Sequence, residues 1–246
     1  MPKIFEVGGC VRDKILGIKS NDIDFTFVLD DLNGTVEQGF EHMTEWLKSE
    51  GFEIFLSTPD CFTIRAKFPK GHKHQGVADF VMARKEIGYI PGTRKPILEL
   101  GTLADDLIRR DFTLNALAED EDGKLIDLFG GLEDLKNGML RTPINPEITM
   151  MDDPLRILRA LRFSVTKGFT IELKIWDAMA QPEILEKLKT TVSIERMREE
   201  IFKMMKHDTP LSLRLLHIVE ESYIPGFLDL LFSKGMWLKP TNEKVN

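Results

Sequence analysis

The sequence predicts an α+β protein, with a head of mixed strands and helices followed by an all-α domain. Three observations carry that reading. Up to about residue 142, stretches with a two-residue apolar period alternate with stretches of helical period. Pro143 and Pro146 then interrupt the pattern, as a domain boundary does. Beyond them apolar residues recur at helical spacing as far as Phe232. The expected domains are therefore residues 1–142 and 143–246.

The first element, Lys3–Val7, reads as a short buried strand that Gly8-Gly9 interrupts. Apolar spacing from Val11 through Ile15 and Leu16 predicts a short helix ending at Gly17. Asp24–Leu29 is the second strand, because Ile23, Phe25 and Phe27 alternate with Asp22, Asp24 and Thr26. Thr35 to Glu50 is an amphipathic helix, with Phe40, Met43 and Leu47 on one face. Two or three strands are expected next, at Glu53–Ser57, Phe62–Phe68 and Val77–Ala83. Ile87 to Gly101 holds Gly88, Pro91, Gly92 and Pro96 with no clear period, which predicts a loop. A helix begins near Leu103, and a short strand, Lys124–Asp127, follows the Asp120–Gly123 turn.

With 246 residues, the chain can bury one large core or two modest ones. No apolar run approaches the roughly 18 residues that span a membrane, and Lys3 leads almost directly into structure without a signal-peptide apolar segment. Cys10 and Cys61 are too few for a disulfide framework or a zinc site, so reduced thiols and a cytoplasmic location are expected. The net charge of −7 excludes a surface coated for nucleic acid, but it is unevenly spread. Met1 to Asp153 holds 18 Lys and Arg against 28 Asp and Glu; Pro154 to Asn246 holds 15 against 12. An acidic front suits metal binding, and a mildly basic back suits a polyanion.

The chemistry concentrates in Val7-Gly8-Gly9-Cys10-Val11-Arg12-Asp13 and Asn21-Asp22-Ile23-Asp24-Phe25. Side chains alternate along a strand, so Asp22 and Asp24 project to one side with Ile23 behind them. Two carboxylates that close repel each other, and a divalent cation relieves the repulsion. Oxygen donors of this kind suit Mg²⁺, which keeps part of its water and also takes phosphate oxygens. A two-metal site about 3.5–4 Å across activates a hydroxyl and stabilises a leaving pyrophosphate. Gly8 and Gly9, at a strand-to-helix junction, allow backbone N–H groups close to a triphosphate, and Arg12 in the first turns can grip phosphate oxygens. A third carboxylate, Asp79, sits in the apolar strand Val77-Ala78-Asp79-Phe80-Val81 and there needs a metal or a basic partner.

These motifs, in this order, resemble the class II tRNA nucleotidyltransferase and poly(A) polymerase family of the DNA polymerase β superfamily. The resemblance runs from about Lys3 to Glu200. It rests on the two stretches above and on Asp79 leading to Ala83-Arg84-Lys85-Glu86. It rests also on Asp106-Leu107-Ile108-Arg109-Arg110-Asp111-Phe112-Thr113-Leu114-Asn115-Ala116 and on Ile126-Asp127-Leu128-Phe129-Gly130-Gly131. The last parts are Asp152-Asp153-Pro154-Leu155-Arg156-Ile157-Leu158-Arg159-Ala160-Leu161-Arg162-Phe163 and Ser193-Ile194-Glu195-Arg196.

The resemblance implies a nucleotidyltransferase head, a helical neck, and a nucleotide pocket between them. Catalytic Asp22, Asp24 and Asp79, with Mg²⁺ on Asp22 and Asp24, would add C and A to a tRNA 3′ end from CTP and ATP. Asp153 and Arg156 match positions that hydrogen-bond the base edge, and a carboxylate one helical turn from a guanidinium complements such an edge. Arg110, Arg159 and Arg162 match nucleotide-contacting positions. Arginines at i, i+3 and i+6 drift by about 60° per step, which turns Arg162 away from Asp153. Of Arg109 and Arg110, about 100° apart on a helix, Arg110 is expected inside.

Two departures stand out. Asp152 replaces the family's usual Glu, and the sequence ends about 50 residues after Arg196, where relatives continue into body and tail domains. A truncated body is therefore expected, with a smaller acceptor, a partner, or tRNA held by the neck. The alternatives are an ATP-specific poly(A)-type tailing enzyme and a non-catalytic RNA-binding descendant. His72 and His74 read as solvated loop residues, and Trp46, Trp176 and Trp237 as packing residues.

Overall fold

The computed structural model describes residues 2–20, 22–31, 33–89, 96–233, 235 and 236. They divide between two compact units, Met1–Leu135 and Lys136–Asn246. The division falls before the expected 142/143 boundary because the short strand Met139–Leu140 pairs with Thr170–Ile171 and so belongs to the second unit.

The head unit begins β1 (Lys3–Val7), α1 (Gly9–Ile15), β2 (Ile23–Val28) and α2 (Val36–Ser49). Next come β3 (Glu53–Thr58), β4 (Thr63–Lys67), β5 (Val77–Met82), β6 (Arg84–Tyr89) and β7 (Pro96–Leu100). It continues through α3 (Leu103–Ile108), β8 (Leu117–Glu119), β9 (Leu125–Asp127) and α4 (Gly131–Asn137), the last crossing into the second unit. Seven strands form one sheet in the order β3-β4-β5-β2-β1-β8-β9. Within this sheet, among the described residues, only β2 and β5 pair in parallel, and α2 lies in the crossover between them. Thr35 caps α2 reciprocally with Gln38.

Alternation along β2 sorts its side chains. Phe25 and Phe27 join Phe80, Ile64, Met43 and Leu47 in the core under α2. Asp24 and Thr26 face the other side. In β2 and β5 the large apolar cluster therefore lies on one face, and Asp24 and Asp79 project from the other.

Two expectations needed correction. The segment read as a loop from Ile87 to Gly101 contains a paired hairpin, β6 with β7, though residues 90–95 lie outside the described residues. His72 and His74 are not solvated: both pack against Phe68, and His74 is within 2.6 Å of the buried Glu6 carboxylate. Rings too apolar to leave bare gather around the turn, and the histidines close over them.

The second unit holds β10 (Met139–Leu140), α5 (Pro146–Asp152), α6 (Arg156–Lys167), β11 (Thr170–Ile171), α7 (Leu173–Met179) and α8 (Pro182–Thr191). It ends with α9 (Ile194–His207), α10 (Thr209–Ile218) and α11 (Phe227–Phe232). Helix α6 packs on α9, burying Ile157, Leu161 and Ile201. Trp46 packs on Phe27, and Trp176 stacks on Tyr223 with ring centroids 4.2 Å apart. Trp237 lies outside the described residues. Among the described residues no helix is long and apolar enough to cross a membrane.

Candidate active site

Parallel pairing sets Asp24 of β2 opposite Asp79 of β5, and antiparallel pairing sets Arg65 of β4 opposite Asp79. Asp22 precedes β2 and is exposed. Burial pushes the Asp24 carboxyl above the usual carboxylate range, and the charges of Asp79 and Asp22 add to that push against Arg110 and Arg65. Asp24 thus has both other carboxylates as neighbours in the middle of the sheet. Asp79 already has a basic partner: Arg65 grips it bidentately, Nε at 2.7 Å and Nη2 at 2.6 Å.

Among the described residues no group of three His, Cys, Asp or Glu side chains is gathered to hold a metal. The donor set that fits an ion is the Asp22 and Asp24 pair. Two carboxylates two residues apart at the start of β2 supply hard oxygen donors to one ion, with the remaining positions left for water and phosphate oxygens.

Beside β2, the chain leaves β1 through Gly8, whose φ of 81° and ψ of −134° only glycine adopts readily. A Cβ at Gly8 would lie 2.5 Å from Arg110 Nη1, so a side chain there would also displace that arginine. Gly9 has no such requirement, since its nearest neighbour would be Arg12 Nη2 at an ordinary 3.5 Å. The Gly8 N–H bonds to the Leu117 carbonyl, which leaves the following first-turn amides as the groups facing an anion.

The arginines around this turn are held by acids, half-buried Asp13 and buried Asp106. Arg12 is itself buried; it donates to Asn115 Oδ1 and, through Nε and Nη2, to Asp13. Its two-pronged grip, expected on phosphate, is made to Asp13. Asn115 in turn donates to the buried Asp111. Arg109 and Arg110 both donate to Asp106, which has no exposed surface and also accepts from Thr26 Oγ1 at 2.8 Å. Burial alone would raise the Asp106 carboxyl; Arg110 and Arg109 outweigh it and hold it well below the usual range. The Asp106 carboxylate therefore ties Arg110, next to Gly8, to Thr26, two residues along the strand from Asp24.

In the second unit, Asp153 accepts from Leu155 N–H at 3.1 Å and from Arg196 Nη2 at 2.9 Å. Arg156 donates to the Thr149 carbonyl across 2.9 Å. Arg162 donates to the buried Glu200 and lies over the Phe163 ring, with Arg159 3.9 Å from the same carboxylate. The structure thus gathers Asp22, Asp24, Asp79, Gly8, Gly9, Arg12 and Arg110 in the head. It sets Asp153 and Arg156 at the start of α6, and Arg159 and Arg162 toward α9.

Sequence reasoning missed Asp106 and Arg65. The signal for Asp106 was its spacing, three and four residues ahead of Arg109 and Arg110. For Arg65 it was alternation with buried Ile64 and Ala66, which sends the arginine to the carboxylate face.

Residues 4–141 match the poly(A) polymerase head domain family. The mitochondrial CCA tRNA nucleotidyltransferase of Saccharomyces cerevisiae is 36% identical over 232 residues, covering 90% of this chain and 41% of the yeast protein. The CCA-adding enzyme of Ligilactobacillus salivarius is 33% identical over 211 residues, covering 83% and 46%. The Bacillus stearothermophilus CCA-adding enzyme in complex with CTP superposes with a TM-score of 0.69 at 27% identity, over 92% of this chain and 50% of that one. A tRNA nucleotidyltransferase complexed with a primer tRNA and an incoming ATP analog gives 0.68 at 30% identity, over 96% and 61%. The chain thus spans less than half the length of the curated relatives it matches. With the head family matched over more than half the sequence, the chain belongs to the class II CCA-adding enzyme and poly(A) polymerase family of metal-dependent nucleotidyltransferases.

Proposed function

We propose that this protein is an RNA 3′-terminal nucleotidyltransferase that adds C and A to the tRNA 3′ end from CTP and ATP, with release of pyrophosphate. The observation that carries the reading is Asp24 set opposite Asp79 across the parallel β2–β5 pair, with Asp22 two residues ahead, beside a positive-φ Gly8 against which Arg110 is packed. Mg²⁺ fits the Asp22 and Asp24 oxygens and, when bound, supplies charge neutralisation for the attacking and leaving oxygens.

The chain's own groups do the rest. First-turn amides after Gly8 and the Arg110 guanidinium bind the triphosphate, with Gly9 keeping the approach open. Arg12, through Asn115, fixes the turn that presents those amides. Asp79 accepts a hydrogen bond from the acceptor hydroxyl, oriented by Arg65. Asp153 and Arg156 read the base edge, while Arg159 supplies positive charge along α6 and Arg162, held on Glu200, secures α6 to α9. A cytoplasmic location belongs to the same proposal, with Cys10 and Cys61 both free thiols.

Incubation with labelled CTP and ATP and a tRNA lacking its terminal nucleotides tests it. The expected product gains C and then A, and Asp24→Ala lowers incorporation by more than about a thousand-fold without unfolding the protein. Long tails of A alone would assign the poly(A)-type activity instead. Near-normal turnover by Asp24→Ala would remove the carboxylate pair from the mechanism.

A further inference from the structure

The head sheet has a second feature beside its carboxylates. Strand β3 is an edge strand, and its pairing with β4 slips between Ile54 and Leu56. The bulge leaves Phe55 without a partner and 56% exposed, an aromatic ring placed at the open edge of a sheet. Phe55 and Arg65 line a cleft of about 300 Å³ together with Asp22, Asp79, Ile23 and Val77. One wall is therefore aromatic and aliphatic, one corner is a guanidinium, and the floor reaches the carboxylates. Arg65 uses two of its nitrogens on Asp79 and keeps 47% of its side chain exposed. Its fork has further N–H groups for an anion.

Sheet order says which nucleotide this cleft suits. Gly8 leaves β1 on one side of β2, and Phe55 and Arg65 lie on the other, across β5. Asp24 stands between the two. A triphosphate belongs on the Gly8 and Arg110 side. A single cation next to three carboxylates suits one phosphodiester, and an exposed ring suits one unpaired base of any identity.

We propose that this cleft is the acceptor subsite: the 3′-terminal base of the RNA stacks on Phe55, and its phosphodiester pairs with Arg65. The inference rests on the functional reading above. It assigns to Arg65 a double duty, orienting Asp79 and holding the strand whose end is extended.

The test uses the full chain and fluorescence anisotropy with two probes: a short single-stranded RNA ending in a 3′-hydroxyl, and a fluorescent ATP analogue. Phe55 is exposed, so its replacement leaves the core intact. Phe55→Ala should weaken RNA binding about tenfold and leave nucleotide binding unchanged, and Phe55→Trp should restore RNA binding. Arg65→Gln should weaken RNA binding and lower its salt slope by about one. Unchanged RNA affinity in Phe55→Ala, or equal loss of RNA and nucleotide, overturns the subsite. So does a Phe55→Ala effect confined to sedimentation, which would make the edge a self-association surface. If the wild-type protein extends no RNA but its RNA isotherms respond to Phe55 as stated, the subsite stands and the proposed activity falls.

Discussion

The head and the second unit both hold arginines with acids, but at different depths. In the head, Asp106 has no solvent exposure and receives Arg109, Arg110 and Thr26 together. In the second unit, Glu200 is enclosed in much the same way, but Asp153 and Arg196 pair in the open, with side chains 33% and 53% exposed. The difference teaches where a charge is rigid. A carboxylate out of water must keep every partner, so its arginines are fixed before any anion arrives. A pair in water can open and close at small cost. Under the proposed function, this would make Arg110 a preset phosphate ligand and let the Asp153 carboxylate exchange Arg196 for a base edge.

The strongest way to break the contrast is Asp106→Asn. It leaves Arg109 and Arg110 without their buried counter-charge and should cost the head about 3–5 kcal/mol in denaturant unfolding. The pH dependence follows from the lowered acidity range of the group. With its folded-state pKa below the unfolded value of about 3.9, Asp106 contributes its full stabilisation above that unfolded value. The contribution is lost only as pH falls through the lower folded value. The wild type should therefore lose this stabilisation in strong acid alone, and Asp106→Asn should lack that phase. A variant as stable as the wild type at neutral pH would show that Arg110 is held by something else.

The parts of this network differ in how legible they are in sequence. Strand β2 follows from alternation, because one face lies against a large apolar core, while β1 and β5 follow from short apolar runs. The carboxylates of Asp22 and Asp24 are legible for the same reason, as polar residues on the face that alternation leaves over, and Asp79 as a carboxylate within an apolar run. Strand β8 is not: Leu117, Ala118 and Glu119 are all buried, so no alternation marks them. The β6–β7 hairpin hides behind Gly88 and Pro96, which read as loop punctuation although the backbone still pairs. The same limit applies to depth. Asp105 and Asp106 are neighbours of identical type, yet Asp105 caps α3 and Asp106 is buried; which acid faces the sheet depends on contacts far along the chain, such as Thr26. Arg162 is the converse case, where helical drift alone turned it from Asp153 before any contact was known.

A middle-sized effect is expected at Glu200. Glu200→Gln removes the charge that holds Arg162 and Arg159 against α9, and Glu200 itself is only 5% exposed. The cost should be about 2–3 kcal/mol, below that of Asp106, because Arg162 alone bonds Glu200 closely while Arg159 stays 3.9 Å away. Arg162→Ala should lose a similar amount and leave nucleotide affinity almost unchanged. Reduced affinity at unchanged stability would instead place that guanidinium at the nucleotide.

The smallest effect tests the open end of the contrast. Arg196 and Asp153 are 53% and 33% exposed in their side chains, and the carboxylate keeps its bond from Leu155 N–H when the arginine is removed. A double-mutant cycle of Arg196→Ala with Asp153→Ala should therefore give a coupling of about 0–1 kcal/mol. It should fade between about 0.1 and 1 M salt, as the screening length shrinks from about 10 to 3 Å. A coupling above about 2 kcal/mol that ignores salt would mean the pair is shielded from water in solution. Asp153 would then be as fixed as Asp106, and it could not give up Arg196 to read a base.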